Sequence, residues 1–337
     1  MIHESQIDAA YCFHREEYDF TDSFAEIVPY LQEGDLVVGN LETTLAGEDM
    51  YYTGYPAFNS PEALAHNLKD AGFDLVFTAN NHCLDRGEKG VLRTIEHLEK
   101  AGLGFIGTAR SQGERDRFLT ITQNGITVVF LAYTYGTNGI PVPQGKEYLV
   151  NLMEEELIKA DIKKARESAD LLVVSLHWGH EYQREPDPKQ TKLAEKIITW
   201  GADLVLGSHP HVLQPIEFVR TKSGREGVIV NSLGNLIADQ IYPYTDSGVI
   251  VRLRYSKNES NLSLVELTGV PTWIHRYYKD GRLSFRVLPV ADAIHNYEEG
   301  KDAYLTPANY NHLKKVWEET TSHLWLTPYS IMDNILH

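Results

Sequence analysis

Thiols, long apolar runs and positive charge are all scarce in this chain of 337 residues. Cys12 and Cys83 are its only cysteines, too few for a disulfide framework or a cysteine-built zinc site. No apolar run approaches the roughly 18 residues needed to span a bilayer, so no membrane-spanning segment is expected. The start, MIHESQIDAAYCFHREEYDF, is polar almost from its first residue and does not read as a secretory leader. Lys and Arg number 31 against 47 Asp and Glu, a formal net charge of −16. Such a chain lacks the basic face that neutralises phosphates along a nucleic acid, so general nucleic-acid binding is excluded. A small anionic substrate is not, because a bound cation reverses the local field. Apolar residues at 42% and charged residues at 23% exclude wholesale disorder.

Up to about residue 250 the chain alternates strand-like and helix-like segments. Asp35–Asn40, Asp74–Ala79, Gly104–Gly107, Leu171–His177 and Leu204–Gly207 read as strands. Ser60–Gly72, Gly87–Gly102, Leu152–Ser168 and Lys189–Gly201 read as helices, the first with Ser60 as N-cap, Pro61 at its first turn and Gly72 at its end. Asn124-Gly125 between two β-rich runs signals a hairpin within Phe118–Thr134. Successive strands follow at Pro215–Arg220, Gly227–Ser232, Gly248–Tyr255, Ser263–Gly269 and Arg282–Val287, and a last helix near Pro307–Ser322. The expected fold class is α/β, two sheets sandwiched between helices. Residues 1–255 are expected as the main domain, with the strands and helix of 256–337 packed on it.

In open α/β sheets ligands bind beyond the carboxyl ends of the strands. Four strand ends carry ligand-type side chains: Gly39-Asn40-Leu41-Glu42, Ala79-Asn80-Asn81-His82-Cys83-Leu84-Asp85-Arg86-Gly87, His177-Trp178-Gly179-His180-Glu181, and Gly207-Ser208-His209-Pro210-His211. Each cluster alone is ordinary turn chemistry. Four of them on one sheet edge would converge, and converging ligand sets mark sites. Imidazole with carboxylate suits Zn, Mn, Fe or Ni, and the scarcity of thiols disfavours a soft-metal site. His14, His66 and His97 lie in helix-like or tail contexts and read as surface residues. Tyr51 and Trp178 are expected at a substrate cleft. No phosphate-cradling loop and no Gly-x-Ser-x-Gly elbow is present.

The ordered motifs GNLE, ANNHCLDRG, HWGHEY, GSHPHVLQPIE and SLGN (Ser232–Asn235), spread over residues 1–253, resemble the CapA family. These are bacterial capsule or poly-γ-glutamate synthesis proteins in the calcineurin-like metallophosphoesterase superfamily. The resemblance implies an αββα fold and one or two divalent ions, Mn, Zn or Fe. It implies Asn81, His177 and His209 as ligands of one ion, His211 as a ligand of the other, His82 as general acid or phosphate donor, and Asp85 as the group that orients His82. Asn40 stands where the superfamily has a bridging Asp, and Glu42 is the nearby carboxylate that could substitute. The superfamily's opening Gly-Asp-x-Met-x-His survives only as Met1-Ile2-His3, so the first strand and its Asp are expected to be missing or truncated, with His3 left as a site residue on a frayed terminus.

The implied chemistry is metal-dependent hydrolysis or transfer at a phosphoester, on an anionic substrate that is a phosphoester or a polyglutamate-type polymer. The implied partners are other capsule-synthesis proteins, and the implied location is the cell envelope. Two other readings stand beside it: a non-catalytic polymer-binding or assembly component with an incomplete metal site, and a phosphodiesterase acting on a small nucleotide.

Overall fold

The computed structural model describes residues 1–222, 224–259 and 261–324. Three short parallel strands form one sheet in chain order: β1 (Val38–Asn40), β2 (Leu75–Phe77) and β3 (Gly104–Ile106). A second sheet has six strands: β4 (Leu119–Gln123), β5 (Ile126–Thr134), β6 (Leu171–His177), β7 (Leu204–Ser208), β8 (Leu213–Arg220) and β9 (Glu226–Leu233). Its spatial order is β8-β9-β7-β6-β5-β4. The neighbours from β5 through β6 and β7 to β9 run parallel, and both edge strands are antiparallel. A third, antiparallel sheet joins β10 (Ser247–Asn258), β11 (Asn261–Lys279) and β12 (Arg282–Pro289).

The period of two along each strand builds the layers. In β6, Leu171 and Val173 meet Leu75 and Phe77 of β2 in one core, while Leu172, Val174 and Leu176 face helices Glu155–Ala165 and Pro188–Trp200 on the other side. In β5, Val128, Phe130 and Ala132 face inward and Val129, Leu131 and Tyr133 outward. On the far side of the first sheet, Val76 packs with Leu64 and Leu68 of helix Ala63–Ala71 and with Ile2, Phe20 and Phe24 of the N-terminal segment. The result is a two-sheet sandwich with helices outside. His177, the last residue of β6, continues the inward row of Leu171, Val173 and Ser175, so its ring is delivered into the sandwich mouth.

Several boundaries differ from expectation for local reasons. Helix Ala63–Ala71 starts after Ser60, because the Ser60 hydroxyl is engaged by Thr43 at 2.9 Å instead of capping. Helix Glu155–Ala165 starts late because Leu152 bridges Thr134 and the Met153 amide donates to the Thr134 carbonyl. β11 runs on through Pro271, which is tolerated because pairing with β12 begins only at Thr272. Helix Val290–Glu298 carried no clear sequence signal. The boundary expected between residues 255 and 256 falls inside β10, and β11 and β12 complete the same sheet. Residues 325–337 and Ser260 of the expected C-terminal unit lie outside the described residues. Among the described residues no helix is long and apolar enough to cross a membrane.

Candidate metal centre

Both sheets point their carboxyl ends at one cleft. Glu42 follows β1, Asn81 and His82 follow β2, Tyr135 and Asn138 follow β5, His177 ends β6, and His209 and His211 follow β7. Glu42, Asn81, His82, His177, His209 and His211 are all buried. Glu42 Oε1 lies 3.4 Å from His177 Nε2 and 3.8 Å from His211 Nε2. Asn81 Oδ1 is 2.8 Å from His177 Nε2. The rings of His177 and His209 are 4.9 Å apart, and those of His209 and His211 6.0 Å. One ligand atom from each of Glu42, His177 and His209 falls within 4.8 Å of the others.

The hydrogen bonds behind these side chains set which nitrogen carries a lone pair. Asn235 donates through its amide to Gln240 Oε1 and to the Thr245 carbonyl, both at 2.8 Å, so its Oδ1 is the atom 3.1 Å from His211 Nδ1. His211 Nδ1–H therefore donates to Asn235, and Nε2 turns its lone pair toward the Glu42 carboxylate. Ser208 Oγ, 2.9 Å from His177 Nδ1, can accept that proton and leave Nε2 free to ligate, whereas with the proton on Nε2 the ring donates to Asn81 Oδ1 at 2.8 Å. Burial lowers His177, and burial followed by the neighbouring His177 pushes His209 down to about 3. Neutral imidazole, the ligand form, is thus favoured. Burial also pushes the Glu42 carboxyl up; the charges of His211 and His177 oppose this and lower it only while those rings are protonated, so with neutral imidazoles the buried carboxylate lacks that compensating charge.

A carboxylate oxygen facing imidazole lone pairs is repulsive unless a cation lies between them. Asn40 Oδ1, Glu42 Oε1 and His209 Nδ1 are also buried without a hydrogen-bond partner. Orphaned buried polar atoms are rare and costly, and a divalent cation held among Glu42, His177 and His209 would give Glu42 Oε1 its missing partner. His209 and His211 carry positive φ values of 101° and 60°. Non-glycine residues held there store backbone strain, which clusters at functional sites. The donor set fits a borderline divalent metal.

Beside this cluster, His82 Nδ1 is 2.7 Å from Asp85 Oδ2, and both side chains are nearly sealed from solvent. The same carboxylate oxygen accepts the Phe58 amide at 2.6 Å. Phe58 packs edge-on against the His82 ring at 4.6 Å, and Asn138 bridges to Asn81 at 3.2 Å. Asp85 is not the cap of helix Gly87–Lys100, whose N-cap is Arg86. Burial pushes the adjacent Cys83 thiol up to about 12, away from the thiolate form that attacks or ligates.

Residues 1–240 match the family described as bacterial capsule synthesis protein PGA_cap. The chain belongs to that family. Among its relatives are the capsule biosynthesis protein CapA of Bacillus anthracis, 31% identical over 243 residues, and the PGA biosynthesis protein CapA of Bacillus subtilis (strain 168), 30% identical over 249. Each match covers 70% of this chain, and the chain spans 58% and 61% of those two proteins. A candidate 5'-nucleotidase of Staphylococcus aureus, solved in complex with α-ketoglutarate, aligns over 95% of this chain and 57% of its own at a TM-score of 0.51 and 16% identity. At that identity the likeness shows the fold alone. The fold of this PGA_cap chain is that of the calcineurin-like metallophosphoesterases.

The sequence expectations divide clearly against the geometry. Glu42, Asn81, His82, Asp85, His177, His209 and His211 come together, and Asn40 reaches Glu42 Oε2 at 3.5 Å. Trp178 does not line the cleft. It is 1% exposed in the core, with its indole N–H donating to the Asn231 carbonyl at 3.1 Å, because the residue after His177 faces the outer helices. Tyr51 is 79% exposed, and Phe58 is the ring that reaches His82. His3 is not on a frayed end: Ile2 is buried, His3 Nδ1 accepts the Asp239 amide at 3.1 Å, and burial lowers its imidazole to about 4. The sequence reading passed over Asn138, Tyr135 and Phe58, and it gave no role to Ser208, which lay inside the quoted Gly207–His211 cluster. Asn235 lay inside the quoted SLGN motif, a signal that could have been followed.

Proposed function

We propose that this protein is a CapA-like component of capsule or poly-γ-glutamate biosynthesis whose cleft hydrolyses or transfers a phosphoester. The observation that carries the reading is the convergence of His177 and His211 on the buried Glu42 carboxylate, next to the His82–Asp85 pair. Glu42, Asn81, His177, His209 and His211 would hold one or two divalent ions, Mn, Zn or Fe. A bound ion would supply Lewis-acid charge stabilisation at a phosphoryl group.

The chain's own residues do the rest. Asp85 accepts the proton of His82 Nδ1, fixing the tautomer and ring orientation and raising the basicity of Nε2. His82 Nε2 is then the atom that gives a proton to a leaving oxygen or takes one from an attacking group. Phe58 walls one side of that ring from water, and Asn81 ties the acid–base residue to the ligand set. The substrate is anionic, a phosphoester or a polyglutamate-type polymer, and the partners are other capsule-synthesis proteins.

Asn40 favours a second reading, a non-catalytic polymer-binding or assembly component. A neutral carboxamide at the superfamily's bridging position weakens the hold on a second ion. Metal analysis combined with hydrolysis of p-nitrophenyl phosphate and its diester separates the two. The enzyme reading expects metal-dependent turnover that is lost in His82→Ala. Full metal occupancy without turnover on esters, or no metal uptake, supports the assembly component.

A further inference from the structure

We propose that Glu181 is a cation ligand: with His209 and His211 it forms a second divalent-cation position and supplies there the carboxylate that Asn40 does not. The inference rests on the metal-centre reading above. A ligand atom from each of Glu181, His209 and His211 lies within 4.8 Å of the others, the second such grouping beside Glu42, His177 and His209. His209 is common to both. An imidazole nitrogen serves one ion, so the donors divide without conflict when Asn81 Oδ1, already 2.8 Å from His177 Nε2, completes the first position. That leaves His209 and His211 for the second. His209 Nδ1 is buried without a partner, and His211 Nε2 presents a lone pair to Glu42 Oε1 at 3.8 Å. One oxygen of Glu42 thus lies between the two positions.

The chain fixes Glu181 in place. It sits on the turn after β6, where Gly179 adopts a φ of 81° with the Gln190 side chain packed against it. The next residue, Tyr182, donates its amide to the Pro210 carbonyl at 2.8 Å, so the turn is stitched to the residue between His209 and His211. The Tyr182 ring lies 6.1 Å from that of His211. The carboxylate itself lies on the cleft side of the turn, where one of its oxygens is within 4.8 Å of ligand atoms of His209 and His211. On the other side, Tyr135 packs on His209 with ring centres 4.7 Å apart. Unlike the buried Glu42, Glu181 is exposed. The second position is therefore open to water, and its ion exchanges more readily than the first. Two imidazoles and a carboxylate suit Mn, Fe or Zn.

The test is Mn²⁺ binding to chelator-stripped protein, followed by titration calorimetry and by electron paramagnetic resonance for coupling between neighbouring ions. The unaltered chain is expected to take two equivalents with a coupled signal. Glu181→Gln should keep the tighter equivalent, lose the coupled signal and weaken the second by more than about tenfold, since even outer-shell partners are worth 10–100-fold. His180→Gln, altering an exposed histidine that faces Asp187 at 3.4 Å, should change neither. Two equivalents of unchanged affinity in Glu181→Gln overturn the assignment, as does a single equivalent that is the same in both proteins. No uptake by the unaltered chain overturns the metal-centre reading itself.

Discussion

His82 and Asp85 are three residues apart on the turn between β2 and helix Gly87–Lys100, and their contact at 2.7 Å is the shortest link between an imidazole and a carboxylate in the cleft. Because Asp85 also accepts the Phe58 amide, its carboxylate is held from two sides and cannot swing away from the ring. His82→Ala is expected to lower turnover on a phosphoester by roughly 10²–10⁴, the range for losing a general acid or base, with metal content unchanged. Asp85→Asn is expected to cost about 10–100-fold, as for partners that orient a functional group, because a carboxamide oxygen still accepts but no longer stabilises the imidazolium. Both variants should melt within a few degrees of the parent. A silent Asp85→Asn would remove its orienting role. His209→Ala, in contrast, should lower metal content measured on the purified protein while the strands beneath it persist. These residues were legible because chemistry-bearing side chains stand out at strand ends. Ser208 and Asn235 were not, since a hydroxyl or carboxamide behind an imidazole looks in sequence like any turn residue.

At the level of elements, the placement of the site depends on how closely β7 and β9 approach. A Cβ built on Gly207 would lie 1.9 Å from the Asn231 carbonyl oxygen and 2.7 Å from Trp178 Nε1. That glycine leaves room for the bond between Trp178 and Asn231 and sets the exit direction of β7 just before Ser208 and His209. Gly207→Ala is expected to destabilise the fold by about 1–3 kcal/mol, the usual cost of overpacking, read as a lower denaturant midpoint. Metal uptake should fall with it, since His209 would be displaced. Strands buried on both faces, such as Leu171–His177, were readable to the residue as continuous apolar runs, as was the hairpin at Asn124-Gly125, whose φ values of 51° and 78° suit a tight turn. Element starts were less readable, because Ser60 and Leu152 are diverted by tertiary partners that no local pattern contains.

Across the whole molecule, the C-terminal residues beyond the family match close back onto the site's supports. Helix Pro307–His323 reaches the loop after Tyr182 through Arg184, which donates to the Glu319 carbonyl at 3.0 Å and whose own carbonyl lies 2.9 Å from His323 Nε2. The same helix places His312 Nε2 2.6 Å from Asp246 Oδ2, which also accepts the Trp273 indole at 2.9 Å. Asp246 follows Thr245, the residue whose carbonyl orients Asn235 behind His211. The bond to Asp246 raises His312, against the burial that lowers it, with Lys315 and Glu319 making smaller opposed contributions. Burial pushes Asp246 up, but the bonds from His312 and Trp273 more than offset it and leave it below its ordinary value. The raised His312 stabilises the fold fully below its unfolded value near 6.5 and loses that contribution as pH rises through its folded value. The lowered Asp246 contributes above its unfolded value near 3.8 and loses that contribution as pH falls through its folded value. The pair therefore stabilises the molecule most in the mildly acidic window between them. His312→Gln keeps a hydrogen-bonding side chain and removes the charge. The melting-temperature gap between parent and variant should be widest near pH 5–6 and close as pH is raised toward 9. A gap that is flat with pH would mean that His312 holds the helix by packing on Trp273, 5.5 Å away between ring centres, and not by charge.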